Sequence, residues 1–339
     1  MFVRNCWYVA AWSHELEGNR LLARTIINTP LVFYREAQGV VALEDRCPHR
    51  AAPLSKGIRE AEGIRCRYHG LLFDKGGRCI HAPAQDSVPA GMKVRNFKTV
   101  ERNTWVWVWM GDPEAADETL IPETPCMGNP EWRSIPGYLH YDVNYLLICD
   151  NLLDFSHLPY LHPTTLGGSP DFARILPKVE RLPRGVRLKR WVERTQPPSY
   201  TRPYFHAEVV DRWVDYDFVA PGVLLMDAGM CATGSGAHTG DRKGALETRS
   251  YQALTPETET STHYFFTQAH NFEIDKPEVT QNLFKAIEIA FEEDRDMIGG
   301  QQKNLQLDPN APMTSLTVDQ ALIQFRRVIS TMIAAEQKA

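Results

Sequence analysis

Two short runs, CPHR and CRYHG, have the residue types and spacing to hold metal. Cys47 and His49 form C-x-H, Cys66 and His69 form C-x-x-H, and sixteen residues separate His49 from Cys66. Both pairs stand at turn-like positions between strand-like runs, beside a Pro or a Gly. Two thiolates and two imidazoles suit tetrahedral zinc or a mixed-ligand iron–sulfur centre. Zinc modules more often use C-x-x-C with a distant histidine pair, whereas here each half supplies one cysteine and one histidine. That division fits a [2Fe-2S] cluster with one iron on Cys47 and Cys66 and the other on His49 and His69. Neutral histidines bring less negative charge than thiolates, so such a cluster is more easily reduced. Cys79, close by in sequence, is read as structural.

A reducible cluster needs an acceptor for its electrons. The stretch NLLDFSHLPYLH, residues 151–162, offers His157 and His162 as two ligands of a mononuclear iron. A facial triad needs a carboxylate as the third. Asp154 is one candidate, about one helical turn before His157; the run FEEDRD offers Glu292, Glu293, Asp294 and Asp296. By composition these last are a solvated helix face, and Glu292 and Glu293 keep that reading. On a regular helix the two histidines would stand about 140° and about 7.5 Å apart, so convergence calls for a distortion. Pro159, which lacks an N–H and clashes with the preceding turn, is expected to bend or end the helix there.

The elements that must position these groups are legible in outline. Residues 1–115 read as short strands and turns, with Trp and Val alternating through residues 105–109. Pro, Asp and Glu crowd residues 116–136, a linker or covering loop. Residues 137–339 read as a second domain: a strand, a helix from about Leu147, a strand-rich stretch over 170–270, and two C-terminal helices. The first of these spans about 277–303, with Leu283, Ile287, Ala290 and Met297 on its apolar period, Pro277 at its start and Glu278 near the positive end of its dipole. The second runs from about Ser315 to Ala335. The fold class is α+β: an all-β cluster domain, then a helix-flanked antiparallel sheet.

The 339 residues carry a formal net charge of −5, with 43% hydrophobic and 23% charged residues. No basic footprint points to nucleic acid, and no apolar run approaches the ~20 residues of a membrane span. The start, MFVRNCWYVAAWSHEL, reads as a folded segment and not a signal peptide. Seven cysteines, an odd number without dense spacing, suit a reducing compartment, and a cytoplasmic location is expected.

The pair CPHR and CRYHG is the signature of the Rieske centre. With RNCWYVAAW, GDP, DNLLDFSHLPYLH and LTPETETSTHYFF, the chain resembles, over nearly its whole length, the oxygenase subunits of Rieske non-haem iron oxygenases. More narrowly it is similar to the vanillate O-demethylase, dicamba demethylase and toluenesulfonate methyl-monooxygenase branch. The resemblance implies that Asp294 completes the mononuclear Fe(II) site with His157 and His162. It implies that Asp154 joins His69 of one subunit to His157 of the next in a head-to-tail homotrimer, and that Asn151 hydrogen-bonds near the open coordination site. Electrons would come from NADH or NADPH through a separate reductase with a flavin and a ferredoxin-type cluster; no G-x-G-x-x-G motif follows a strand here. With O2, the reaction implied is hydroxylation of a small aromatic acid. O-demethylation comes first: hydroxylating an O-methyl group gives a hemiacetal that collapses to a phenol and formaldehyde. A ring-bound methyl would stop at the benzylic alcohol.

Pocket candidates are Leu225, Met226, Met230, Gln252, His263 and His270. In the dicamba-type enzyme an asparagine and a histidine of this sheet hold the substrate carboxylate, and the shared LTPETE run places Leu225 and Gln252 there. That departure leaves Arg174, Arg212 or Arg249 to meet an acid group. Competing readings are a Rieske electron-transfer or binding protein, a zinc-supported interaction module, and a ring dihydroxylase.

Overall fold

A computed structural model describes residues 1–167, 170–237 and 240–338 of the chain. Two units emerge, one of Met1–Glu123 with Thr255–Glu259, the other of Thr124–Leu254 with Thr260–Ala339.

In the first unit, β-branched and aromatic residues alternate and form three small antiparallel sheets among the described residues. Trp105–Trp109 is the central strand of one, between Trp7–Trp12 and Thr99–Arg102. Trp7 faces Trp109 and Trp12 faces Trp105 across it, with ring centroids 5.5 Å and 5.6 Å apart; such cross-strand aromatic pairs each add about 0.5–1 kcal/mol. A second sheet carries Leu22–Ile26, Thr29–Glu36, Gly39–Glu44 and Asn96–Phe97. The third, of Ile58–Glu60, Gly63–Arg65, Leu72–Phe73 and Cys79–His81, holds the second Cys/His loop between two of its strands. Gly63 has φ +153°, and a Cβ there would lie 1.8 Å from the Phe73 carbonyl oxygen, so only glycine allows this strand to pair so closely. Cys79 is a core residue, packed with Val32, Ile64 and Phe73.

The second unit is built on an antiparallel sheet of seven strands among the described residues. In spatial order they are Pro136–Tyr141, Ser261–His270, Leu246–Thr258, Val223–Ala232, Val210–Val219, Gly185–Thr195 and Lys178–Leu182. Side chains alternate between its faces. Even-numbered residues of the central strands face the helices: Tyr264 stacks on Phe291 at 5.0 Å and Phe218 meets Phe325 at 4.7 Å. The helices are α1 (Tyr145–Leu153), α2 (Leu158–Leu161), α3 (Asp171–Arg174), α4 (Pro277–Leu307) and α5 (Gln320–Glu336). The α+β expectation holds.

Helix α4 buries Leu283, Ile287, Ala290, Phe291, Asp294 and Ile298 in one stripe. Met297, expected on that stripe, is instead 60% exposed, because its neighbour Ile298 takes the inward place. Helix α1 is capped by the Asn144 side chain on the Leu146 N–H at 2.9 Å, and Asn144 donates its own N–H to Gln302 of α4. Asp150 of α1 receives two bonds from Arg326 Nε and Nη2 of α5, which clamps the two helices together. Asp150→Ala should therefore cost about 1–3 kcal/mol of stability, read as a lower urea midpoint at unchanged slope, with the cluster absorption unchanged.

Candidate metal centres

The NLLDFSHLPYLH stretch folds as three pieces. Helix α1 stops at Leu153; Asp154 is extended (φ −130°, ψ 97°); a single 3-10 turn, Phe155–His157, follows; α2 then runs to Leu161. The break falls at Asp154 and not at Pro159. The Asp154 carboxylate accepts the Ser156 N–H at 2.8 Å, an N-cap that rewards leaving the helix. Pro159 sits in the first turn of α2, where its missing N–H would have no intrahelical partner anyway.

The imidazoles of His157 and His162 converge, with ring centroids 5.3 Å apart. They do so across nearly helical backbone; the reach of the side chains, and no kink between them, closes the gap expected from helix geometry. Asp294 meets them from α4, its Oδ1 at 3.2 Å from His162 Nε2 and 3.6 Å from His157 Nε2. One ligand atom from each lies within 4.8 Å of the others. The Nδ1 atoms face oxygen acceptors: the Asp154 carbonyl for His157, at 2.5 Å, and the Glu293 carboxylate for His162, at 2.7 Å. Thr165 donates its hydroxyl to the same Glu293 oxygen at 3.1 Å. With Nδ1 donating, each Nε2 presents a lone pair toward Asp294, an arrangement that a shared cation makes favourable. The Asn151 amide donates to Asp294 Oδ1 at 2.8 Å and lies 3.5 Å from His157 Nε2. Burial holds His157 below its ordinary pKa despite Asp294. Burial acts the same way on His162, but the hydrogen bonds and charges of Asp294 and Glu293 outweigh it and raise its pKa. Two imidazoles and one carboxylate are the donor set of a facial-triad iron site, with positions left open.

Glu293 is the functional residue that the sequence reading missed. An acidic run looks solvated from composition; Glu293 and Asp294 straddle the edge of the α4 stripe, so Glu293 bonds His162 Nδ1 while Asp294 faces both imidazoles. The available signal was Asp294 itself, a charge at the i+7 position from Ile287 on a buried face.

In the first unit, Cys47 and Cys66 head loops closed in the same way. The Cys47 N–H donates to the Ala52 carbonyl at 2.8 Å and the Ala51 N–H to the Cys47 carbonyl at 2.9 Å; Cys66 pairs with Leu71 and Gly70 at the same two distances. Ala51 and Gly70 take positive φ, 53° and 75°. Asp45 fastens the first loop through two 2.6 Å bonds from Ser55, and Arg65 the second through a 2.7 Å bond to the Gly70 carbonyl. The thiols are buried and hydrogen-bonded to each other, and burial pushes that of Cys47 up. The His49 and His69 rings pack 4.4 Å apart and are exposed. Two sulfurs inside and two imidazoles at the surface fit a mixed-ligand binuclear cluster with its histidine edge toward solvent.

Residues 6–98 match the Rieske [2Fe-2S] domain, and residues 141–335 match the vanillate O-demethylase oxygenase C-terminal domain. The chain belongs to the Rieske non-haem iron oxygenases. It is 43% identical to the toluene-4-sulfonate monooxygenase system iron-sulfur subunit of Comamonas testosteroni, over 99% of this chain and 98% of that one. It is 38% identical to the dicamba O-demethylase oxygenase component of Stenotrophomonas maltophilia, over 82% and 81%. The crystal structure of dicamba monooxygenase bound to 3,6-dichlorosalicylic acid superposes with a TM-score of 0.92 at 35% identity, covering 100% of this chain and 99% of that one. The oxygenase is thus a Rieske non-haem iron monooxygenase.

A cavity opens beside the triad of this oxygenase. Asn151, His157 and Asp294 line one part; Leu152, Phe155, Leu158, Ile287 and Phe291 add apolar surface from the helices. The sheet contributes even-numbered residues: Arg212 and Val214, Met226 and Ala228, Thr248, Ser250 and Gln252. Of the expected pocket residues, Met226 and Gln252 are there. Leu225 is not: it pairs with Tyr251 on the odd-numbered face, turned away by strand alternation. Met230 packs with Val210 and Leu246, His263 bonds Tyr138 on the outer face, and His270 bonds Thr280 of α4. Of the three arginines, Arg212 alone lines the cavity; Arg249 is paired with Asp227 and Glu247.

Glu293→Gln keeps the shape but replaces a charged acceptor of the His162 N–H with a neutral one. Affinity of the triad for iron should fall about 10- to 100-fold, measured by metal titration, while the absorption of the cluster stays as in wild type.

Proposed function

We propose that this protein is the oxygenase component of a monooxygenase system that uses O2 and reductase-supplied electrons to hydroxylate a methyl or O-methyl carbon of an aromatic acid. The observation that carries the reading is the convergence of His157, His162 and Asp294 at the edge of a largely apolar cavity. Cys47, His49, Cys66 and His69 would hold the [2Fe-2S] cluster, and the triad would hold Fe(II). Iron bound there supplies the activation of dioxygen, and the cluster supplies the electrons.

The chain's own residues prepare that chemistry. The Asp154 carbonyl and the Glu293 carboxylate hold the Nδ1–H of His157 and His162, which fixes the tautomer and aims both Nε2 atoms. Asn151 holds Asp294 Oδ1, which favours coordination through a single oxygen and keeps positions open. Leu152, Phe155, Leu158 and Phe291 exclude water and receive an aromatic ring. Asp154 is the proposed bridge between subunits: its carbonyl already bonds His157, and its carboxylate would reach His69 of the next subunit in a homotrimer. The reductase, carrying a flavin and a ferredoxin-type cluster and drawing on NADH or NADPH, and a cytoplasmic location belong to the same proposal. Among the described residues no helix is long and apolar enough to cross a membrane.

Two products fit. The vanillate- and dicamba-type relatives support O-demethylation; the 43% identity to the toluene-4-sulfonate relative supports hydroxylation of a ring methyl. The oxygenase, reconstituted with a reductase, should be given methoxybenzoates and toluene-4-sulfonate. Formaldehyde with a phenol marks demethylation, and a benzylic alcohol without formaldehyde marks methyl hydroxylation. NADH consumed with neither product from any acid would overturn the reading.

A further inference from the structure

Arg212 is 8% exposed and lines the cavity. Among the described residues, no carboxylate pairs with its guanidinium. The group lies 4.9 Å from the centre of the Phe172 ring, and Tyr200 and a second cation, Arg190, act on it electrostatically. Arg190 stands on the adjacent strand over the same ring, at 4.6 Å, with its buried Nε unpartnered. Desolvation pulls the Arg212 pKa down to about 10, and Arg190 adds to the effect. Two buried cations share one aromatic ring; the charge of Asp154 acts on Arg190, and among the described residues no carboxylate pairs with Arg212. Cation–π contact compensates for only part of such burial. Among the described residues lining the cavity, Asp294 is the only carboxylate, and it faces the two histidines of the triad.

The sheet side of the cavity also carries polar groups. Tyr200 is hydrogen-bonded to Thr248. Ser250 accepts a bond from Gln252 at 2.9 Å, which leaves its own hydroxyl proton for another acceptor. Gln252 is also held by the Tyr264 hydroxyl, so it is locked in place. The lining thus offers a fixed cation with Tyr200 near it, whereas Leu152, Phe155, Leu158, Val214, Ile287 and Phe291 give apolar surface toward the triad, with Gln252, Gln268 and Asn151 as further polar points. A planar ring with an anionic group at one end matches this division.

We propose that Arg212 binds the anionic group of the substrate, a carboxylate or sulfonate on an aromatic ring, and so orients the ring in the cavity. This rests on the aromatic-acid reading above and names the residue that recognises the acid. Arg212 is a specificity residue, with the Tyr200 hydroxyl as its titratable neighbour. Of the three arginines named from the sequence for an acid group, Arg212 is the one among the cavity-lining residues.

The test uses the intact holoenzyme with Arg212→Met and Arg212→Lys. Probes are 4-methoxybenzoate and toluene-4-sulfonate, paired with the neutral 4-methoxyacetophenone and methyl 4-tolyl sulfone. Binding is measured by calorimetry without oxygen, and product by chromatography. Arg212→Met should weaken binding of the acid that wild type prefers by about 30-fold or more, the usual effect of removing one partner of a buried charge pair. Binding of the neutral partner should stay unchanged, and Arg212→Lys should recover part of the loss. Because the substitution removes an uncompensated buried charge, the ligand-free melting temperature should hold or rise. A lowered melting temperature, with acid and neutral probes weakened equally, would make Arg212 a structural residue and overturn the proposal. Unchanged acid binding in Arg212→Met, with product still formed from the acid, would overturn it and leave the proposed function standing. A wild type that binds no acid better than its neutral partner would overturn both.

Discussion

The carboxylate of Asp294 lies on the buried stripe of α4, where an unpaired charge would cost several kcal/mol. Much of the second unit is arranged around that group. Asn151 of α1 donates to it, and His157 and His162 turn their Nε2 atoms toward it. Each histidine is in turn anchored through Nδ1, by the Asp154 carbonyl and the Glu293 carboxylate. Two segments far apart in sequence, residues 151–162 and the Glu293–Asp294 pair of α4, therefore have to arrive together. The Asp150–Arg326 clamp and the Asn144–Gln302 bond keep α1 seated against α5 and α4 while they do.

The sheet supplies the other half of the cavity by alternation. Its even-numbered side chains face α1 and α4 and include both the polar floor and the apolar wall. Its odd-numbered side chains carry the salt-bridged groups Asp227, Glu247 and Arg249. One residue of register separates a substrate-facing position from one on the other face.

The two cysteine–histidine pairs and the histidine pair of residues 151–162 stood out in the sequence because their residue types carry coordination rules, whereas Asp294 was singled out only by the family resemblance. The short strands, the Trp/Val strand and α4 were legible from period and composition. The misses have physical causes. Glu293 bonds a histidine 131 positions away, which no local pattern reveals. Leu225 was matched by motif spacing, which does not resolve the strand face. Pro159 looked like the helix breaker, yet the Asp154 carboxylate satisfies the Ser156 N–H and makes the earlier break the favourable one. Met297 was placed one residue off the stripe that Ile298 completes.

The central claim, that Asp294 completes a mononuclear iron site separate from the cluster, is tested most directly by counting iron. Wild-type protein should hold about three irons per chain, two of them in a cluster with a Rieske-type spectrum. Asp294→Ala should hold about two, with that spectrum unaltered and no product formed. An Asp294→Ala protein that keeps the third iron and full turnover would contradict the account.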